Sequence, residues 1–242
     1  MNTESQSLGL PLQRRVLSDG TECSLPIRYF DNQCLIATFL TEMDRARHAL
    51  EGTGLQAVPQ EDGKALVVLA RWEYRDTDIG PYNEVALTIV SAAPGDPVPA
   101  IYVVDLPVTT DVANRAGREL WGYNKFVATI DIRRDGKTFS TTVHDPQKVP
   151  ICTLEGTRSA SVPVAPSDIY SFNMQGGRVI KTHVQVSTPM HVSTGEGFLL
   201  KIGNSRHHMA GNPRGLGLDE ARPVLVQHAD PFQLLLFPGR VL

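Results

Sequence analysis

The sequence predicts a mainly β (β-rich α+β) fold, a barrel or a sandwich with short peripheral helices, on three observations. Runs rich in Val, Ile, Leu and aromatics recur along the 242 residues, over 35–40, 65–74, 84–91, 100–104, 126–132, 138–143, 149–154, 178–186, 197–202, 224–227 and 232–237. Loops holding Gly, Pro and Asp bound them, and Asp135-Gly136 between two such runs is a hairpin turn. Two segments alone, 42–51 and 109–120, read as helices. Many strands with two short helices suit a closed or layered β architecture, and periodicity by itself does not choose between them.

Taken in order, residues 1–25 read as an irregular arm ahead of one domain over 26–242. The helix over 42–51 has Thr41 as its cap and Met43, Ala46 and Leu50 on one face, with Gly52 and Gly54 ending it. The helix over 109–120 has Thr110 or Thr109 as cap and Asp111 at its positive end, while Gly117 weakens its last turn. The run after Lys125 alternates well through 126–132, and 211–215 (Gly-Asn-Pro-Arg-Gly) reads as a loop at a barrel mouth or subunit contact.

Composition narrows the partners. With 41% hydrophobic and 20% charged residues the chain has enough apolar material for a core, which argues against disorder. A net charge of −3, with basic residues only in pairs such as Arg14–Arg15 and Arg133–Arg134, speaks against nucleic acid. No apolar run is long enough to span a membrane, and the first residues lack the basic and apolar regions of a secretory signal. Cys23, Cys34 and Cys152 are odd in number and widely spaced, which argues against a disulfide framework and for a cytoplasmic setting, and Cys34 and Cys152, in apolar strand-like runs, read as buried thiols. Seven histidines show no metal-ligand spacing, and no Gly-rich phosphate loop or Gly-x-Ser-x-Gly elbow occurs, so neither metal nor cofactor is predicted.

The six lysines single out one position. Lys64 and Lys137 sit in Asp-Gly-Lys turns, Lys148 precedes a loop proline by two residues, and Lys181 lies in an alternating strand and reads as a surface residue. Lys125 instead stands in Leu-Trp-Gly-Tyr-Asn-Lys-Phe-Val-Ala, flanked by aromatics and with no acid in the next five residues. Such surroundings strip water from an amine and favour its neutral, nucleophilic form. The competing reading is a strand lysine whose stem lies on aromatics and whose head reaches water. Lys201 has similar apolar flanks.

The longer string Ala116-Gly117-Arg118-Glu119-Leu120-Trp121-Gly122-Tyr123-Asn124-Lys125 resembles the signature of the acetoacetate decarboxylase-like superfamily, in which Gly-Arg-Glu ends a helix and aromatic-x-Lys follows. Gly80-Pro81-Tyr82-Asn83-Glu84-Val85 resembles that family's strand-entry segment, and Pro26–Phe30 with Thr41–Asp44 its first strand and helix. The resemblance extends over about residues 25–135. It implies a closed, cone-like antiparallel β-barrel, a homo-oligomer, a Schiff-base lysine at Lys125 and an acid/base glutamate at Glu84.

It also marks departures. Phe126 replaces the second lysine of the decarboxylases and Asn124 the preceding proline, while the family's arginine falls on Asn32 and a second glutamate on Leu69. A shifted register would offer Arg28 as the arginine. Tyr82 is read as a substrate hydrogen-bonder or a satisfied core tyrosine, Trp121 as a cavity wall or core anchor, and Asn124 as orienting the carbinolamine or shaping a turn. Arg118 and Glu119 read as helix-end or ion-pair residues ahead of the alternative, that they bind substrate. The function that follows is a Schiff-base lyase acting on a small oxo acid, with aldol–dehydration using an aldehyde co-substrate set ahead of decarboxylation. The alternatives are a non-catalytic small-molecule-binding barrel, and a hydrolase or tautomerase with Glu84 as base.

Overall fold

The structure, a computed structural model, describes residues 12–242. The reading of residues 1–11 as arm without signal lies outside the described residues. From residue 13 the expected irregular arm is a hairpin, β1 (Gln13–Val16) with β2 (Glu22–Leu25). It buries Leu17, Cys23 and Leu25 and is tied down by Ser18 on Glu119 and Arg115 on Asp19.

The elements that follow are β3 (Ile27–Thr41), α1 (Met43–Ala49), β4 (Gln56–Ala57), β5 (Ala65–Thr77), β6 (Tyr82–Ala92), β7 (Ala100–Val108), α2 (Asp111–Trp121) and β8 (Lys125–Val127). Next come β9 (Thr129–Asp135), β10 (Thr138–His144), β11 (Pro150–Thr157), β12 (Val162–Val164), β13 (Ile169–Gln175) and β14 (Arg178–Val186). The chain ends with β15 (Met190–Thr194), β16 (Phe198–Ile202), α3 (His208–Gly215), β17 (Leu225–Ala229), β18 (Leu234–Leu236) and β19 (Arg240–Val241). The fold is mainly β, as the sequence predicts.

Seven strands close a barrel in the order β3-β5-β6-β7-β13-β14-β18 and back to β3. Every pairing is antiparallel except β7 with β13. An odd ring cannot alternate direction all the way round, so one parallel neighbour is obligatory. The crossover that permits it runs through α2, the short strand β8, the antiparallel strands β9–β11 and β12. A second sheet, β16-β11-β10-β9, lies over the outside of the barrel.

Two apolar clusters result. One fills the barrel and the underside of the first hairpin, the other the space between barrel wall, second sheet and helices α1 and α3. Val67, Leu69, Val85, Leu87 and Ile89 face the outer cluster, while Ala70, Tyr74, Tyr82 and Ala86 face inward. Walls buried on both faces explain why β5 and β6 read as nearly continuous apolar runs rather than clean alternations.

Several expectations are corrected. Thr41 does not cap α1: its Oγ1 donates to Leu216 O at 2.6 Å, and Glu42 holds the N-cap position without a side-chain bond. The expected loop over 211–215 is the second half of helix α3, with Pro213 inside it. Lys181 is not at the surface. It is 4% exposed, its Nζ donates to Asp96 at 2.8 and 2.9 Å and to Val98 O at 3.0 Å, and this ties the loop between β6 and β7 to β14. Strand alternation placed it on an outer face, but a loop with a carboxylate covers that face. Thr110 does cap α2, accepting from Ala113 N at 3.4 Å. The three thiols are free and buried, and burial raises Cys34 and Cys152 to about 12.

Candidate active site

Helix α2 delivers the lysine. It ends at Gly122, whose left-handed φ of 69° and approach to Met174 O (2.8 Å from any added Cβ) admit only glycine. The chain turns there, and Lys125 opens β8 beside Leu106 of β7. The Lys125 stem then runs back across α2 at Gly117, where a methyl group would overlap its Cδ and Cε. Gly117 is therefore the space for the lysine stem, more than a weak point in a helix. Arg118 fixes the same turn, its Nη1 donating to Lys125 O at 3.0 Å, and Glu119 holds Ser18 of the first hairpin. The two act as helix-end contacts and do not pair with each other.

Lys125 and Glu84 meet inside the barrel. Nζ donates to Glu84 Oε2 at 2.6 Å, and both residues are buried, at 6% and 7% exposed. Glu84 comes from β6, opposite Trp72 of β5, so the pair joins two walls of the barrel through the start of β8. The Glu84 carboxylate thus sets a counter-charge against the amine in a site shut off from water. Desolvation alone, the basis of the sequence argument, omits this counter-charge.

Four tyrosines surround the pair. Tyr74 Oη donates to Glu84 Oε1 at 3.3 Å, and the Tyr29 and Tyr82 hydroxyls bond each other at 3.0 Å. Their rings pack in series in tilted pairs, 4.6 Å from Tyr29 to Tyr74 and 4.7 Å from Tyr74 to Tyr82. The Lys125 Nζ lies 5.7 Å from the Tyr82 ring and 5.8 Å from that of Tyr123. Burial raises all these phenols, Tyr123 to about 12 and the others further, with Glu84 adding to the rise at Tyr74. They are hydrogen-bond donors throughout the working pH range.

A cavity of about 90 Å³ adjoins the pair, enough for a molecule of a few heavy atoms. Every barrel strand contributes to its lining, which is mostly apolar, with Glu84, Lys125, Tyr29, Tyr74, Thr88 and Ser171 as its main polar members. Lys125 is the one cation among the lining residues.

The structure places the other sequence candidates as follows. Tyr82 backs the amine with its hydroxyl satisfied by Tyr29 and does not line the cavity. Trp121 is 2% exposed and donates Nε1 to Phe237 O at 2.8 Å, anchoring the end of α2 outside the cavity. Asn124 is exposed and donates Nδ2 to Val104 O at 2.8 Å, which stitches the turn to β7. Arg28 spends its side-on fork on Asp78 (Nε and Nη2, both 2.9 Å) at the surface, so it brings no cation to the cavity. Asn32 bonds Phe232 O, Leu69 packs in the outer cluster, and Phe126 turns away from Lys125 onto His207 and His208.

The sequence reading missed Tyr29, Trp72, Tyr74, Tyr123 and Ser171. One signal was present for two of them. A turn centred near Asp78–Gly80 sets Tyr74 opposite Tyr82 and Trp72 opposite Glu84, so the glutamate's neighbours follow once the hairpin is drawn.

Comparison with known proteins bears on the fold and the family. The acetoacetate decarboxylase (ADC) family model matches residues 16–192. No curated protein sequence matches the chain. Among solved structures, acetoacetate decarboxylase from Legionella pneumophila is similar at 14% identity and a TM-score of 0.67, with 90% of this chain and 87% of that one covered. The enduracididine biosynthesis enzyme MppR complexed with pyruvate is similar at 16% identity and 0.64, covering 89% and 90%. The same enzyme with the condensation product of pyruvate and imidazole 4-carboxaldehyde gives 16% identity and 0.62, covering 89% and 88%. At these identities the solved structures share the fold, and the family model spans most of the chain: this protein belongs to the acetoacetate decarboxylase family.

Proposed function

We propose that the protein is a Schiff-base lyase acting on a small oxo acid, with Lys125 as nucleophile and Glu84 as its proton partner. The observation that carries the reading is the buried 2.6 Å contact of Lys125 Nζ with Glu84 Oε2 at the wall of the barrel cavity. Moving the proton from ammonium to carboxylate converts a buried ion pair into a neutral amine and a neutral acid, a form that low polarity favours. The amine adds to the substrate carbonyl, and Glu84 donates the proton with which water leaves the carbinolamine. The iminium then accepts an electron pair, from a breaking bond to carboxylate with release of carbon dioxide, or from a C–H bond whose proton a base removes. The resulting enamine is protonated at carbon, or attacks an aldehyde and afterwards loses water. Hydrolysis of the last iminium frees the lysine.

The aldol–dehydration branch stands first. MppR, of the same fold, has been solved with pyruvate and with a pyruvate–aldehyde condensation product. The cavity also offers a carboxylate hydroxyl donors and no arginine, which fits a substrate of pyruvate size held chiefly through its carbonyl.

The test is borohydride reduction with pyruvate or acetoacetate, followed by intact mass and peptide mapping. An irreversible adduct at Lys125, lost together with turnover in Lys125→Ala, is expected. Turnover with Lys125 unmodified, or appreciable activity in Lys125→Arg, would replace the scheme with acid/base chemistry at Glu84. Ligand-induced stabilisation without adduct or turnover would mark a binding protein.

A further inference from the structure

Outside the barrel, on the far face of the same β5 wall, a second polar cluster is buried between the sheets. Cross-strand pairing sets His191, His228, Leu35 and Arg71 in one row across β15, β17, β3 and β5. Side chains in such a row share a face. Phe139 of the covering sheet meets this row and is ringed by cations: the guanidinium carbons of Arg71, Arg134 and Arg158 lie 5.4, 5.6 and 4.8 Å from its centroid.

The cations are under-compensated. Asp230 binds Arg134 at 2.6 Å and Arg75 at 2.7 Å and accepts from Gln33 at 3.0 Å, and Glu73 lies within Coulombic range of Arg71. Among the described residues neither Arg71 nor Arg158 has a carboxylate within ion-pair distance. Arg71 is 2% exposed, and one nitrogen, Nη1, donates to Gln33 Oε1 at 2.6 Å, while Nε and Nη2 have no partner. Those two form the side-on fork that Arg28 spends on Asp78 elsewhere in the molecule. Arg158 Nε and His228 Nδ1 are likewise buried and unpartnered. Burial pushes Arg71 down to about 10, and burial with Arg158, His191, Arg134 and Arg71 pushes His228 down to about 4. A buried guanidinium with an open fork is costly unless an anion completes it.

We infer that this inter-sheet slot binds a small oxyanion, a carboxylate or a phosphate, with two oxygens on the Nε–Nη2 edge of Arg71 and with Arg158 and His228 as further donors. Planar bidentate pairing is the geometry that an unpaired guanidinium edge is built to make. Arg134, 40% exposed, and the exposed His191 form the solvent side of the slot.

Inorganic phosphate and succinate, each titrated into the intact protein by calorimetry and by NMR of the arginine Nε–H and histidine ring signals, test the assignment and separate the two sources of oxyanion. Saturable binding is expected, with movement of the Arg71 Nε resonance and an upward shift in the His228 titration. Binding should persist in Lys125→Ala, fall roughly tenfold or more in Arg158→Gln and vanish in Arg71→Met. Arg158→Gln keeps the test independent of any folding defect in Arg71→Met. No saturable binding of either ion, binding unchanged in Arg158→Gln, or binding lost in Lys125→Ala would overturn the inference. So would dependence on protein concentration, which would assign the occupant to a carboxylate from a second copy of the chain.

Discussion

At the scale of single residues, the proposed chemistry rests on two side chains and a hydroxyl. Glu84→Gln keeps the shape and a hydrogen bond to Lys125 but cannot carry a proton. Single-turnover kinetics should show a loss of about 10²- to 10⁴-fold, with the adduct at Lys125 forming slowly rather than disappearing. Tyr74→Phe removes one donor to Glu84 Oε1. A hydrogen bond to a charged group contributes about 1.5–3 kcal/mol, so kcat/KM should fall by roughly tenfold or more with the fold unchanged by circular dichroism. Lys125 and Glu84 were readable because short strings of neighbours resemble a family signature. Tyr29 and Ser171 were not, because they reach the cavity from β3 and β13 and leave no local pattern, and Trp72 and Tyr74 of β5 emerge only once the hairpin with β6 is drawn. The arginine question shows the same limit. Nothing adjacent to Arg28 in sequence announces that Asp78, 50 residues away, takes its fork.

At the scale of elements, helix α2 and its exit turn place the amine. Gly117→Ala is a discriminating change. Alanine in a helix is favoured over glycine by about 1 kcal/mol, yet here its methyl group would push aside the Lys125 stem. Thermal unfolding should show little loss or a small gain, while kcat/KM falls by about 10²-fold, the cost of displacing a reacting group by about 1 Å. Equal losses of stability and activity would show that α2 cannot accommodate the methyl group at all. Element types were largely legible. The hairpin at Asp135-Gly136 and the cap at Thr110 follow from local chemistry. The helix over 208–215 was hidden by its Gly and Pro residues, and it is held by tertiary contacts such as Asn212 Nδ2 donating to the buried Asp105 at 2.6 Å.

At the scale of the whole molecule, the barrel wall β3-β5-β6 is covered on its outer face by the second sheet, with the candidate active site on its inner face and the cationic slot on its outer face. The slot makes stability depend on pH. His228 is held near 4 in the fold against 6.5 in the open chain, so below 6.5 the unfolded state takes up a proton that the folded state refuses. Stability from this group is fully present above about 6.5 and declines as pH falls toward 4. Urea midpoints measured across that window should drop with acid. His228→Gln should flatten the dependence, and saturating phosphate should reduce it by raising the folded value. A profile unchanged in His228→Gln would show that other groups govern the acid limb.

The sequence by itself determined that the chain is mainly β and which lysine to suspect, because hydrophobic period, turn residues and a contiguous signature are all local properties. Closure of seven strands, the joining of Lys125 to Glu84 across 41 residues, the burial of Lys181 on Asp96 and the stranded fork of Arg71 were decided by tertiary structure alone. Each depends on which distant segment covers a given face, and a charge acquires its environment from the segment that covers it.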